Sequence, residues 1–189
     1  MTLLHPVILP ISLKDRHLKG REAVLAQRRR AREALALSCA ASGIAMGVLN
    51  KDGVDAPLPF AGNYWSLSHK CRYVAAVVSS SPVGIDIEEI RPRADDLMAY
   101  IADEQEWALA AGRDWNTFFR YWTAKEAVLK AVGIGLRHLK QARIDRIIDG
   151  DNLIVRYESR LWPIRHLNFQ DHVVSLTHDT DVCWSLTTG

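Results

Sequence analysis

Hydrophobic and polar positions alternate along residues 83–88, which read VGIDIE. Successive side chains of a strand point to opposite faces of its sheet. The three aliphatic residues therefore share one face, and Gly84, Asp86 and Glu88 share the other. Like charges this close repel each other unless a cation lies between them. The pattern predicts a strand with one buried face and a site for a divalent metal ion on the other.

A second segment, residues 115–132, has apolar side chains at three- and four-residue spacing, which predicts an amphipathic helix. At about 100° per residue, Glu126 projects between Phe119 and Trp122, inside the apolar arc. A buried acid is costly unless it is paired or bound to a metal. Lys130 lies one turn further on, and an ordinary helix pair with Glu126 is the simpler interpretation of these two residues alone. Asp86 and Glu88 shift the balance towards a shared site.

The other segments predict a mixture of helices and strands. Residues 20–42 contain no proline and are rich in Ala, Leu, Glu and Arg, which predicts a long helix ending near Gly43. Proline and glycine make 50–62 a loop, and the pair Gly133 and Gly135 is expected to close the helix that bears Glu126. A further helix is expected over 94–111. Strands are expected at 7–13, with an interruption at Pro10, and at 64–67, 73–79, 153–157, 172–176 and 182–186.

An internal similarity suggests two related halves. The tetrapeptide SLSH at 66–69 recurs as SLTH at 175–178, each between two strand-like runs. Short matches also arise by chance. The repeat nevertheless fits two halves, each a long helix on a small antiparallel sheet, that face each other across a cleft.

Composition narrows the class of protein. With 189 residues, of which 48% are hydrophobic and 24% charged, the chain can form one domain or two small lobes. No apolar run reaches the length of a membrane span, and the N-terminal residues lack the layout of a signal peptide, so we expect a cytoplasmic protein with no membrane partner. Cys39, Cys71 and Cys183 are widely spaced and suggest neither disulfides nor a zinc site. A net charge of +2 gives no argument for nucleic acid.

Three blocks in a fixed order resemble the 4'-phosphopantetheinyl transferases. They are Ser68-His69 after a hydrophobic strand, GIDIE at 84–88, and W-x-x-K-E-A-x-x-K-x-x-G-x-G from Trp122. The resemblance is to the larger monomeric type that activates carrier proteins of peptide, polyketide and fatty-acid synthesis, and it covers about residues 28–136. The chain departs from the family in the loop NKDGVDAPLPF, where other members often carry G-K-P; Lys51 is a candidate replacement for that lysine.

The resemblance implies a fold and a reaction. The fold is α+β, with two similar lobes related by a pseudo-twofold, residues 1–90 and 91–189, and an active site at their seam. The reaction transfers the 4'-phosphopantetheine group of coenzyme A to a serine of an apo acyl or peptidyl carrier protein. It releases 3',5'-ADP and depends on Mg²⁺, which binds carboxylate and phosphate oxygens. The expected state is a monomer.

The resemblance also implies roles at the seam. Asp86, Glu88 and Glu126 would hold Mg²⁺, directly or through water, and Asp86 would thereby help to bind coenzyme A. Lys130 would stabilise the pyrophosphate or take part in proton transfer. Glu126, through a metal-bound water or directly, is the candidate base for the incoming serine, although ligation of the metal is an equal interpretation.

Further residues match the family's contacts to coenzyme A. Ser68 and His69 would touch its 3'-phosphate region, with Lys70 beside them as an added positive charge. In the basic run 28–32, Arg28 stands where the family has an arginine that meets phosphate, and Arg32 lies one turn later. The other arginines of the run are expected to be a solvated face.

Two other classes of function remain open. A metal-dependent phosphohydrolase or nuclease uses the same kind of carboxylates to neutralise a phosphodiester. A non-catalytic module would instead use the arginine cluster to bind RNA or an acidic protein. If the protein is a transferase, basic groups should flank the seam to meet an acidic carrier protein; the candidates are Arg91, Arg93, Arg113, Arg120 and Lys125.

Overall fold

The structure, a computed structural model, describes residues 3–53, 55–70, 72–134, 136–178 and 180–188. It is an α+β fold with two sheets and few helices. In chain order the elements are β1 (Val7–Pro10), α1 (Gly20–Ala41), β2 (Tyr64–Lys70), β3 (Tyr73–Ser79), β4 (Ile85–Glu89), α2 (Asp96–Ile101), α3 (Glu104–Trp107), α4 (Trp115–Val132), a 3₁₀ helix (Leu136–Gln141), β5 (Arg143–Ile147), β6 (Asn152–Tyr157), β7 (Arg160–Phe169), β8 (His172–Thr177) and β9 (Ser185–Leu186). Within the described residues, no helix has the length and hydropathy needed to cross a membrane.

The first sheet has the strand order β2-β3-β1-β9 and is covered by α1. Its pairs are antiparallel except for β1 with β9, which is parallel. Leu35 and Cys39 of α1 are buried with Val74 and Ala76 of β3 in one apolar cluster. The helix ends at Ala41, near Gly43 as the sequence predicts, and the φ of +67° at Gly43 is one that glycine adopts readily.

The second sheet has the order β4-β8-β7-β6-β5, all antiparallel, and is covered by α4. The Asp114 side chain caps α4 by accepting a hydrogen bond from the main-chain N–H of Thr117 at 2.8 Å. Gly133 ends the helix with a φ of 80°. Gly135, the second glycine expected there, lies outside the described residues, as does Cys71.

The two sheets meet where β2 of the first lies beside β4 of the second. Hydroxyl oxygens of Ser66 and Ser68 accept hydrogen bonds from the main-chain N–H groups of Ile85 and Ile87, at 3.1 and 3.3 Å. The other edge of β4 pairs with β8. The serine hydroxyls thus accept the hydrogen bonds of main-chain N–H groups of β4 that would otherwise need a neighbouring strand. They also connect the two sheets.

Gly84 lets α4 pack directly against the start of β4. A Cβ at this position would lie 1.8 Å from the carbonyl oxygen of Ala127 and 2.8 Å from the main-chain nitrogen of Ala131. Only a residue without a side chain permits this approach. The contact involves the residues that directly follow Glu126 and Lys130 on the helix, and Gly84 lies two residues before Asp86 on the chain, so it brings Glu126 and Lys130 close to Asp86.

The alternation in residues 83–88 is confirmed. Val83, Ile85 and Ile87 are buried in a cluster between the sheets, and Asp86 is on the opposite face with 5% exposure. Strand β2 extends to Lys70, three residues beyond the predicted end, so that residues 68–70 belong to the strand itself.

Several predicted elements differ from the structure. The single helix expected over 94–111 is wrong: Ala102 is extended, with φ −150° and ψ 148°, which separates α2 from α3. Asp103 then starts α3 with a capping box shared with Glu106. Strands β5 and β7 were not expected, because charged residues and Pro163 interrupt the apolar pattern there. Strands β1 and β9 are shorter than predicted.

Candidate functional site

Asp86 lies at the centre of a polar cluster between β2, β4 and α4. Its Oδ1 accepts hydrogen bonds from the Ser68 hydroxyl at 2.8 Å and from the Lys130 ammonium at 2.7 Å. Lys130 also donates to the main-chain oxygen of Ile85 at 3.1 Å. The second oxygen, Oδ2, is buried without a hydrogen-bond partner among the described residues. A buried carboxylate oxygen with no donor is a position that a hard cation can satisfy.

Glu126 projects from α4 into the same cluster and is only 8% exposed, as its place in the apolar arc predicts. Burial, and after it the charge of Asp86, raises the pKa of Glu126 to about 8. No hydrogen bond to its carboxylate forms within the described part of the chain, and Lys130 pairs with Asp86 instead. Glu126 and Lys130 therefore do not form the simple ion pair along the helix within the described part of the chain.

Glu88 is paired with Lys70. The Lys70 ammonium donates a hydrogen bond to Oε1 of Glu88 at 3.0 Å and lies 2.7 Å from Oε2, a buried oxygen that accepts no hydrogen bond among the described residues. Burial raises the pKa of Glu88, and the nearby charge of Asp86 raises it further. Asp86 and Glu88, which share one face of β4, thus each have a lysine partner, Lys130 of α4 and Lys70 of β2 respectively.

The donor set around Asp86 fits Mg²⁺ in its chemistry. The free Oδ2 of Asp86 and the carboxylate of Glu126 are hard oxygen ligands. Asp86, Glu88 and Glu126 do not, however, bring three oxygens within 4.8 Å of one another, and Glu88 is held by Lys70. The structure therefore presents Asp86 and Glu126 as the available pair, with Glu88 released only if Lys70 moves.

One other set of described residues does meet the 4.8 Å distance, namely Glu89, Asp171 and His172. It lies at the end of β4 and the start of β8, where Glu89 and His172 are cross-strand partners. The guanidinium of Arg72 already pairs with Asp171 and lies 3.6 Å from Glu89. These acids thus have a cation from the protein itself.

A basic cavity of about 400 Å³ adjoins the cluster. It lies between α1, the loop that follows α1, β2 and α4, and it reaches Lys130. Partial burial, and then the charges of Lys130 and Arg28, lower the pKa of His69. The polar and charged residues that line it are Arg28, Arg32, Lys51, Asp55, Ser66, His69 and Lys130. Such a concentration of cations beside apolar walls suits a ligand with phosphate groups.

The arginine run divides as the helix geometry requires. Arg28 and Arg32, one turn apart, line the cavity. Arg29 pairs with Asp15 at 3.1 Å, and Arg30 pairs with Glu33 at 2.6 Å. Lys51, the candidate replacement for the family's lysine, lines the cavity and pairs with Asp55 at 3.1 Å.

The residues Ser68, His69 and Lys70 face two different ways, because they are consecutive on a strand. His69 lines the basic cavity, whereas Ser68 and Lys70 turn towards the acids of β4. The structure therefore places His69 with the predicted phosphate contacts. Ser68 and Lys70 lie with the predicted metal ligands instead.

Sequence reasoning missed a buried network behind the acids. The Thr123 hydroxyl on α4 lies 2.6 Å from that of Ser175 on β8, which lies 2.9 Å from Nδ1 of His166 on β7. Burial lowers the pKa of His166 to about 3, so the ring is neutral. Ser175 is the cross-strand partner of Asp86. The network fixes α4 to the sheet one turn before Glu126. The sequence shows only a serine within SLTH.

Three of the basic residues expected to flank the seam are engaged elsewhere, and one of them, Arg113, pairs with Glu104 at 2.6 Å. Lys125 is 1% exposed; its ammonium lies 2.7 Å from Glu106 and donates to the main-chain oxygen of Ile101 at 2.6 Å. Arg120 donates to main-chain oxygens of the β5–β6 turn. The helix pattern could have shown that Lys125 lies within the apolar arc of α4. It could not have shown its partner Glu106, which is distant in sequence.

Comparison with known proteins finds similarity in the region that contains Asp86, Glu126 and Lys130. The profile of the 4'-phosphopantetheinyl transferase superfamily matches residues 82–177. The chain is 40% identical over 80 residues to the 4'-phosphopantetheinyl transferase psf-1 of Bacillus pumilus, which covers 40% of this chain and 34% of that protein. It is 32% identical over 99 residues to HetI of Nostoc sp., covering 44% and 38%. A putative transferase of Haemophilus influenzae is 30% identical over 129 residues, covering 60% and 54%. The matched stretches span about a third to a half of these relatives.

Proposed function

Because the chain belongs to the 4'-phosphopantetheinyl transferase superfamily, we propose that it transfers the 4'-phosphopantetheine group of coenzyme A to a serine of an apo acyl or peptidyl carrier protein. The observation that carries this proposal is the position of Lys130. Its ammonium borders the basic cavity and also contacts Asp86 at 2.7 Å. A nucleotide in the cavity would thus have its diphosphate beside the carboxylates.

The basic cavity is the proposed site for the nucleotide part of coenzyme A. Arg28, Arg32 and His69 would contact its phosphate groups, because charged donors form the strongest hydrogen bonds to phosphate. Lys51 would replace the lysine that the family carries in this loop. To do so, its ammonium would leave Asp55 and contact a phosphate of the ligand instead. The volume of about 400 Å³ is within the range of small-molecule sites.

Asp86 and Glu126 are the proposed residues to hold Mg²⁺, with Glu88 as a third ligand when Lys70 releases it. When bound, the ion would neutralise charge on the diphosphate. Ser68 positions Asp86 through its hydrogen bond to Oδ1.

The proposed reaction is a displacement at phosphorus. The serine oxygen of the carrier forms a bond to the phosphorus next to pantetheine, and the bond from that phosphorus to the oxygen of 3',5'-ADP breaks. Glu126 would take the serine proton, directly or through a metal-bound water. The charge of a bound cation would keep its carboxylate ionised, against the burial that raises its pKa to about 8 in the metal-free protein. Lys130 stabilises the charge on the leaving group.

The arrangement of lobes is also part of the proposal. Residues 1–90 and 91–189 would form two lobes related by a pseudo-twofold, each with a long helix on a sheet. In support, SLSH lies in β2 of one sheet, and the first three residues of SLTH lie in β8 of the other. Each proposed lobe contributes a strand to the other's sheet, since β4 pairs with β8 and β9 pairs with β1. We further propose a cytoplasmic monomer.

The test is incubation with coenzyme A, Mg²⁺ and apo carrier proteins of the acyl and peptidyl types, followed by intact-mass measurement. We expect one carrier type or both to gain one phosphopantetheine group, with loss of the gain on chelation and in Asp86→Asn. Arg29→Ala, which changes a neighbouring arginine outside the cavity, is the matched control and should retain transfer. Hydrolysis of coenzyme A or nucleic acid without any modified carrier would instead support a phosphohydrolase or nuclease.

A further inference from the structure

Each acid on the polar face of β4 has a lysine partner from a different element. Glu88 is paired through both oxygens with Lys70 of β2, and Asp86 is paired with Lys130 of α4. The two lysine side chains are 29% and 28% exposed, whereas the acids are 13% and 7% exposed. The ammonium groups can therefore reach solvent or a ligand, and the carboxylates are fixed by the sheet.

This pairing sets two ammonium groups against the two carboxylates on the polar face of β4, and Glu126 of α4 adds a third carboxyl group to the cluster. A divalent cation that enters alone must compete with both ammonium groups and leaves them close to a second positive charge. A diphosphate changes this balance, because it supplies new anionic partners for the ammonium groups. Carboxylates released in this way are then available to the cation.

We propose that Lys70 and Lys130 are internal counter-cations that make the binding of the divalent cation and of coenzyme A depend on each other. The inference rests on the proposed function for the identity of the ligand. Lys70 distinguishes this inference from a simple contact between lysine and phosphate, because its ammonium is paired with Glu88, a predicted ligand of the cation. By linkage, each ligand must strengthen the other by the same factor.

Binding measurements on the full chain test this inference without any catalytic readout. Free Mn²⁺ is followed by electron paramagnetic resonance, with and without coenzyme A, after correction for Mn²⁺ held by coenzyme A in solution. For the wild type we expect coenzyme A to lower the Kd for Mn²⁺ by about tenfold or more. Lys70→Met should bind Mn²⁺ alone about tenfold more tightly and should show a smaller effect of coenzyme A.

The matched control is Lys140→Met, which removes an exposed ammonium that lies 5.2 Å from the ring centroid of Tyr100 and is not among the residues that line the cavity. Its affinity for Mn²⁺ alone should equal that of the wild type. Lys70→Gln serves as a second variant if Lys70→Met fails to fold in a melting experiment. Wild-type affinity for Mn²⁺ alone in a folded Lys70 variant would overturn the inference, as would independent binding of Mn²⁺ and coenzyme A to the wild type.

The outcomes separate this inference from the proposed function. Transfer to a carrier by the wild type, together with unchanged Mn²⁺ binding in the Lys70 variants, would reject only the role of the lysines. Coupled binding that is weakened in the variants, without transfer to any carrier, would reject only the transferase.

Discussion

Replacing Gly84 by alanine is expected to damage both the fold and the site. The new Cβ would lie 1.8 Å from the Ala127 carbonyl oxygen and 2.8 Å from the Ala131 nitrogen. Both are main-chain atoms of α4, so no side-chain rotation relieves the overlap. To bring the shorter contact beyond 3.0 Å, the helix must move away from β4 by about 1.2 Å.

The magnitude follows from this displacement. Overpacking of a core costs about 1 to 3 kcal/mol, and a clash with main-chain atoms belongs at or above the upper value, about 3 kcal/mol. For a chain of this size, that loss lowers Tm by about 6 to 12 °C. The same displacement moves Lys130 away from its place in the lining of the basic cavity, so the affinity for coenzyme A should also fall.

Thermal unfolding followed by circular dichroism, together with calorimetric titration of coenzyme A, measures both effects. Gly150→Ala is the control, because a Cβ there has no neighbour within 4 Å, and its Tm should match that of the wild type. If Gly84→Ala melted within about 2 °C of the wild type and bound coenzyme A equally well, the close packing of α4 on β4 would not position the site.

Three more changes test the charges of the site and the core. Glu126→Gln should raise the stability of the metal-free protein at pH 8 and not near pH 4.5. The folded pKa of Glu126 is about 8, well above its value of 4.5 when unfolded, so ionisation of this carboxyl group costs stability as the pH rises between these values. Equal pH dependence of the wild type and the variant in urea unfolding would contradict this. Lys125→Met should cost about 3 to 5 kcal/mol in chemical unfolding, because Glu106 would be left buried without its cation; a loss under 1 kcal/mol would refute the pairing. Arg28→Ala should weaken coenzyme A about tenfold or more in calorimetry, as expected for a lost charged hydrogen bond, whereas Arg29→Ala should not; equal losses would place the phosphates elsewhere.

Local patterns predicted the elements that carry the site. Period-two alternation gave the buried face of β4, and three- and four-residue spacing gave α4 with Glu126 turned inward. These predictions succeed because the period of the backbone fixes which side chains share a face. The single helix over 94–111 failed because periodicity does not show where one helix ends and another begins: Ala102 is extended, and Asp103 starts a new helix through a capping box with Glu106.

Partners that are distant along the chain were not predictable. The sequence gives no reason for Lys70 to pair with Glu88 rather than to meet phosphate beside His69, or for Lys125 to turn inward to Glu106. It also does not show that Lys130 prefers Asp86 to the acid one turn before it. Each pairing depends on how β2, β4 and α4 pack.

By itself, the sequence determined the family, the acids of GIDIE and the inward direction of Glu126, because motif order and backbone period are local properties of the chain. The tertiary structure alone decided which cation each acid receives and how far apart the carboxylates lie. The physical reason is that these distances are set by the approach of α4 to β4 at Gly84 and by the serine contacts between β2 and β4. Neither contact is contained in any single segment.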